Sequence, residues 1–304
     1  MTECYCAYGL RFASNFGLPL PPCSEEGQVQ AELRVSEHRI PEPLSWEWEF
    51  AELPEPGGAC RWRIETACGQ TVVFAEVCGG ELKLSHCQFV EPSCVKDILL
   101  HPLLAHLVRR SGRLGLHASV VEWRGQGVAL VGSSGEGKST LATRLCELGA
   151  GFMADDVALL SRWDSGWVVY SGPTGPRMAS DADSADRVFP LRHIPWPEAA
   201  VRKWEHQPEL SSYSSVPLSA VVVLKTSAPG TAWELKPLNG KHKLLQLLQN
   251  RFGSRSLPSA LLVEEFAQLS QLVADMPVIL LQRPRDTGLL EAQANAVLDL
   301  LRSN

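Results

Sequence analysis

Eight consecutive residues, Gly132-Ser133-Ser134-Gly135-Glu136-Gly137-Lys138-Ser139, match the pattern G-x-x-x-x-G-K-[S/T] at every fixed position, and Thr140 follows them. The glycines allow successive backbone N–H groups to turn inward around phosphate oxygens. A helix starting at Lys138 would add its positive dipole end to the same cradle. Lys138 is expected to reach the β- and γ-phosphates, and the Ser139 hydroxyl to ligate magnesium. The segment therefore predicts a site for a nucleoside triphosphate and a magnesium ion.

A second pair, Asp155-Asp156, stands just beyond a short apolar run, Phe152 to Ala154. One carboxylate there can hold magnesium and the other can take the proton from an attacking hydroxyl.

Elements must exist to position these groups. His117 to Trp123 and Gly127 to Val131 are strand-like runs around Arg124-Gly125-Gln126, which predicts a hairpin feeding the phosphate loop. Leu141, Leu145 and Leu148 recur at helical spacing before Gly149 and mark the helix behind the loop. Further on, Trp167 to Tyr170, Ala220 to Lys225 and Val278 to Gln282 read as strands. Lys241 to Asn250, Ser259 to Ala274 and Leu289 to Arg302 read as helices. The stretch from Pro173 to Pro217 is rich in Pro, Ser and Asp with little periodicity and reads as a long loop, functional or mobile.

Upstream, alternation over Val29 to Val35 and Trp46 to Phe50 predicts strands, followed by Trp62 and Ile64, Val72 to Val77, and Leu82 with Leu84. Gly and Pro clusters punctuate these runs, so a small antiparallel sheet is expected over 1–95. A helix is expected within Val95 to Arg110, started or kinked by Pro102. The fold class is thus α/β: a mixed sheet with helices and a phosphate loop over 96–304, preceded by a β-rich accessory domain over 1–95.

Composition excludes several classes. The chain has 304 residues, 45% of them hydrophobic and 20% charged, with a formal net charge of -6. Residues 1–95 hold 14 Glu, no Asp and 6 Lys plus Arg, whereas the remainder carries 22 basic and 20 acidic residues. With no basic stripe, nucleic acid is not an expected partner. No apolar run approaches a membrane span, and no secretory signal opens the chain, so a cytoplasmic protein is expected. Of nine cysteines, eight precede residue 95 and none form C-x-x-C. Reduced thiols are the expectation.

The motifs in order, Leu116-His117-Ala118-Ser119, GSSGEGKST at 132–140 and Ala154-Asp155-Asp156-Val157, resemble the HPr kinase/phosphorylase superfamily of P-loop serine kinases. The resemblance covers about residues 100–300. It implies the HPr kinase/PEP carboxykinase-like core, ATP and Mg2+ as cofactors, and phosphorylation of a serine hydroxyl. It implies Asp155 as general base and Asp156 with Ser139 at the metal, although the two aspartates could exchange roles. His117 matches the family's active-site histidine. Arg177, in a Gly/Pro-rich segment, and Lys203, in Val-Arg-Lys-Trp, match its mobile cations. HPr kinases proper have Glu where this chain has Thr140, and their later phosphorylase signature is missing here, which argues against HPr as substrate. Tyr8-Gly9-Leu10 and Pro19-Leu20-Pro21 instead resemble the divergent kinases found with lasso-peptide genes, which act on a precursor peptide, commonly at its C-terminal serine.

Two other readings stand beside this one. The same core would serve a kinase of a small-molecule hydroxyl or of another protein. A non-catalytic nucleotide switch is the other; guanine-binding switches carry Asn-Lys-x-Asp, and Lys225-Thr226-Ser227 lacks the aspartate. A homo-oligomer is left open.

Overall fold

A computed structural model describes residues 2–18, 20, 23, 31–38, 48–53, 60–66, 71–78, 81–87, 95, 99–110, 112–173, 209–252 and 259–302. These form two compact units, one built on Met1–Leu104 and the other on Ala105–Met178, His206–Ser254 and Ser259–Asn304.

The first unit is a seven-stranded sheet of β1 (Glu3–Ala7), β2 (Leu10–Ser14), β3 (Ala31–His38), β4 (Trp48–Leu53), β5 (Cys60–Thr66), β6 (Thr71–Cys78) and β7 (Glu81–Cys87), in the order β1-β2-β3-β7-β6-β5-β4. Its core takes the alternate residues Tyr5, Phe12, Leu33, Val73, Ala75, Leu82 and Leu84. The expected antiparallel sheet is in fact mixed: β3 runs parallel to both β2 and β7. Turn signals announce hairpins, but a parallel partner arrives by a crossover that leaves no local mark. The excursion through β4, β5 and β6 returns the chain to β3 in the same direction.

The expectation of reduced thiols is also corrected, because Cys6 and Cys23 form a disulfide. Cys23 N–H donates to the Cys4 carbonyl at 2.9 Å, which lays the two segments side by side. The Cys6 and Cys23 Cα atoms are then 5.3 Å apart, within bridging range.

Leu99–Leu103 makes one π-helical turn around Pro102 before α1 (Leu104–Arg110) begins. A proline lacks the N–H of a regular turn, and the wider turn absorbs it. The second unit continues with β8 (Leu114–Leu116), β9 (Ala118–Trp123), β10 (Gln126–Val131), α2 (Lys138–Glu147), β11 (Gly151–Ala154), β12 (Ala158–Trp163) and β13 (Gly166–Tyr170). After these come β14 (Ser215–Thr226), β15 (Glu234–Pro237), α3 (Gly240–Gln249), α4 (Ser259–Asp275), β16 (Val278–Arg283) and α5 (Leu290–Arg302).

The sheet of this unit is mixed and curled. The start of β14, Ser215 to Pro217, pairs antiparallel with β13, and its remainder pairs parallel with β10 and β16. The irregular stretch expected up to Pro217 therefore ends earlier, at the start of β14.

Strand direction decides where the site falls. β10 and β11 both run antiparallel to β9, and β14 and β16 run parallel to β10. The C-terminal ends of β10, β11, β14 and β16 thus meet the start of β9 at one sheet edge, the place where open α/β sheets bind ligands.

Alternation covers both faces. Val120, Ala129, Val131, Val221 and Val223 pack with Leu247 of α3 and with Leu269 and Leu272 of α4. Val121, Val128, Leu130, Val222 and Leu224 pack with Leu141 and Leu145 of α2 and with Val297 and Leu298 of α5. Each such aliphatic side chain contributes about 1.5–3 kcal/mol on leaving water, which makes the edge a rigid platform. Among the described residues, no helix is long and apolar enough to cross a membrane.

Candidate active site

The hairpin before the loop closes through Arg124-Gly125, both at positive φ (54° and 80°), so β9 and β10 stay in register from Trp123–Gln126 to Ala118–Val131. That register sets the start of β9 beside the exit of β10, and hence His117 beside the phosphate loop.

Gly137 caps α2 at φ 80°, a left-handed conformation suited to glycine. The first turn of α2 contains no acidic residue, so nothing there opposes an anion. Ser133, Ser134 and Gly135 are exposed, while Glu136 and Gly137 are half-buried. Thr140 lies half-buried in the first turn of α2.

Lys138 is buried at 8% exposure, and its Nζ donates to the Gly132 carbonyl at 2.7 Å and to the Ser133 carbonyl at 3.3 Å. The same Nζ lies 3.0 Å from His117 Nε2. Burial pushes the ammonium below the usual lysine range, and the carboxylates of Asp156, Asp155 and Glu136 pull it back up. A lysine donor at Nε2 fixes the imidazole proton on Nδ1. Nδ1–H then donates to the Asp156 carbonyl at 2.8 Å, with Asp156 Oδ1 at 3.1 Å.

The two aspartates differ although they are neighbours in sequence. Asp155 is buried at 3% exposure, and its carboxylate accepts from Ser139 Oγ at 2.9 and 3.1 Å and from the fully buried Ser119 hydroxyl. The Asp156 side chain is 37% exposed. Asp156 has a φ of 70°, which only a few non-glycine residues adopt, aspartate among the most frequent. That turn lets consecutive carboxylates serve one site, where an extended strand would send them to opposite faces.

Ser139 is hydrogen-bonded to Asp155, which fits the alternative in which the two aspartates exchange the roles first expected for them. The sequence showed two equivalent carboxylates, and the backbone turn at Asp156 separates them.

The residues fit the group they are expected to hold. Magnesium is commonly bound by one or two side chains together with phosphate oxygens and water, and the Ser139–Asp155 pair offers a hydroxyl and a carboxylate. Among the described residues, no cluster of three or more His, Cys, Asp or Glu side chains could hold a metal. Arg177 and Lys203 lie outside the described residues.

The sequence reading missed a set of contacts behind the loop. Arg283, at the end of β16, donates through Nη2 to the carbonyls of Glu136 and Gly137, at 3.2 and 3.1 Å. Arg285 donates to the Gly135 carbonyl at 3.1 Å. Glu136 accepts from the Thr226 N–H, and from Thr226 Oγ1 at 2.6 Å, at the end of β14. Only the parallel order β10-β14-β16 reveals these partners, and no sequence spacing encodes it.

Comparison with known proteins adds a partial likeness. A family model described as SynChlorMet cassette protein ScmC matches residues 95–189, a span that contains the phosphate loop and both aspartates. No match was found among curated proteins. Among solved structures, the chain is similar to the Hpr(Ser) kinase/phosphatase from Coxiella burnetii, at 12% identity and a TM-score of 0.30, over 61% of this chain and 94% of that one. A superposition that loose places no side chain.

Proposed function

We propose that the protein is an ATP- and magnesium-dependent kinase that phosphorylates a hydroxyl group, and that the hydroxyl belongs to a serine of a ribosomally made precursor peptide of the lasso type, commonly its C-terminal residue. The observation that carries the kinase reading is Asp156: a half-exposed carboxylate, tethered to His117, beside the lysine and serine of a phosphate loop. A second carboxylate at the mouth of the site is what an attacking hydroxyl needs, whereas holding a nucleotide alone does not call for one. The peptide part rests on the sequence resemblance at Tyr8-Gly9-Leu10 and Pro19-Leu20-Pro21.

The chain's residues divide the work. Backbone N–H groups of the loop and the Lys138 ammonium bind and orient the phosphates. Ser139 and Asp155 would hold magnesium, which supplies charge neutralisation on the phosphate oxygens when bound. Asp156 accepts the proton of the attacking hydroxyl as the new O–P bond forms and the bond to the leaving phosphate breaks. His117, held by Lys138 on one nitrogen, keeps Asp156 in place with the other. This assignment exchanges the roles first expected for the two aspartates.

The test is phosphoryl transfer from ATP to a precursor peptide ending in serine, followed by mass spectrometry. Asp156→Asn is expected to lower transfer by about 10²–10⁴-fold, the usual span for a general base, with nucleotide affinity retained. Near-wild-type transfer by that variant would overturn the base assignment. Transfer to free serine or a sugar but not to the peptide would overturn the substrate class and leave the kinase.

A further inference from the structure

The phosphate loop has two sides, and the second is as organised as the first. In a trans peptide the C=O and the following N–H point in opposite directions. The Glu136 carbonyl and the Gly137 N–H share one such plane; the Gly137 carbonyl and the Lys138 N–H share the next. Arg283 Nη2 holds both carbonyls from behind, at 3.2 and 3.1 Å, so both N–H groups face away from the guanidinium and into the cradle. The Gly137 carbonyl also accepts from Leu141 N–H at 3.0 Å, which ties the same peptide to the first turn of α2.

Arg283 is itself anchored. Its Nη1 donates to Gln293 Oε1 of α5 at 2.8 Å. Gln293 is fully buried, and its Nε2 has no hydrogen-bond partner among the described residues. A buried amide with one end unsatisfied is unfavourable for stability, and what this one supplies is a fixed acceptor for Arg283. The approach is close: a Cβ on Gly137 would lie 2.5 Å from Arg283 Nη2, so any larger residue there would displace the guanidinium from its present position.

We propose that Arg283, held by Gln293, is a positioning residue that pre-orients the N–H groups of Gly137 and Lys138 for the phosphates of the bound nucleotide. It acts through the loop backbone and touches no phosphate. This inference rests on the nucleotide-binding reading of the loop and extends it to a part of the chain, 147 positions from Glu136, that the motif does not include.

Isothermal titration of ATP and of ADP, with magnesium present, tests it on Arg283→Ala, Arg283→Lys and Gln293→Leu, each with a melting curve. Both arginine variants are expected to lose affinity for ATP and ADP by the same factor, roughly tenfold or more, the scale of a lost hydrogen bond to a charged group. Lysine keeps the charge but cannot span two carbonyls and a glutamine with a fixed fork. Gln293→Leu fills the same space and removes the unsatisfied amide. The variant also leaves Arg283 Nη1 without its acceptor, so its melting curve serves only to show that it folds, and it is expected to bind both nucleotides about three- to tenfold more weakly.

Wild-type affinity in Arg283→Lys would overturn the proposal, since charge alone would then suffice. A loss confined to ATP would overturn it by showing direct contact with the terminal phosphate. Unchanged affinity in Gln293→Leu would do the same. If the wild-type protein binds neither nucleotide, the loop reading fails together with this one; binding by the wild type with unaltered variants defeats this inference alone.

Discussion

Two buried carboxylates in the second unit make an instructive pair. Asp155, at the end of β11, is 3% exposed, and Glu265, in α4, is 5% exposed. Hydroxyls of Ser119 and Ser139 donate to the first. Guanidiniums hold the second: Arg109 Nη2 lies 2.6 Å from Oε1, and Arg251 Nη1 lies 3.5 Å from Oε2. Burial pushes the Glu265 carboxyl above its usual range, and the two arginines pull it back down. A guanidinium has only donors and a permanent charge, so it neutralises its carboxylate and closes the site. A hydroxyl can turn its proton aside and present a lone pair to the cation that the carboxylate also holds. The difference lies in the partner: it makes Glu265 a clamp between α1, α4 and the segment after α3, and it leaves Asp155 with partners that can reorient, as its proposed place at magnesium requires.

The contrast can be broken from either end. The largest effect is expected from Arg109→Ala, which leaves a buried carboxylate short of its main partner. A loss of about 3–5 kcal/mol in urea unfolding is predicted, with unaltered nucleotide affinity in the folded fraction. A loss below about 1 kcal/mol, the value of a surface pair, would deny Glu265 its clamping role. Next comes Ser119→Ala, which removes one hydroxyl from Asp155. The magnesium midpoint for nucleotide binding should rise about tenfold, the lower end of what an outer-shell partner contributes to metal affinity. An unmoved midpoint would reduce Ser119 to packing.

The smallest effect sharpens the comparison through Lys138. Phosphate binding needs the charged ammonium, so affinity should fall from its value near neutral pH as pH rises through the Lys138 pKa. Because burial lowers that pKa, the fall should begin at lower pH than an ordinary lysine, whose value is 10.5, would give. A midpoint at or above 10.5 in a titration of nucleotide affinity against pH would contradict the burial argument.

Much of this site could be read in the sequence, for a physical reason. A phosphate loop binds with consecutive backbone groups, so its chemistry is written locally in Gly132 to Ser139. The hairpin and Asp155-Asp156 were legible on similar grounds, from period-two alternation and a short apolar run. What escaped was non-local or too short. β8 has three residues and cannot show a period. Strands β12 and β15 also went unread, and the parallel pairing of β3 with β2 and β7 follows from a crossover. The different surroundings of Asp155 and Asp156 hang on one backbone angle, and the contacts of Arg283 and Gln293 on the order of β10, β14 and β16.

That order also bears on how the protein comes to be able to bind. The loop sequence is complete at Ser139, but its rear support is not made until β16 and α5 have been synthesised. Chains whose decisive contacts join distant segments fold slowly, because loop closure must precede the contacts that reward it. A chain growing from its N-terminus would carry an intact nucleotide motif for about half of its synthesis without the scaffold that shapes it. Competence to bind would then await the last strand and helix of the unit, long after the motif itself is complete.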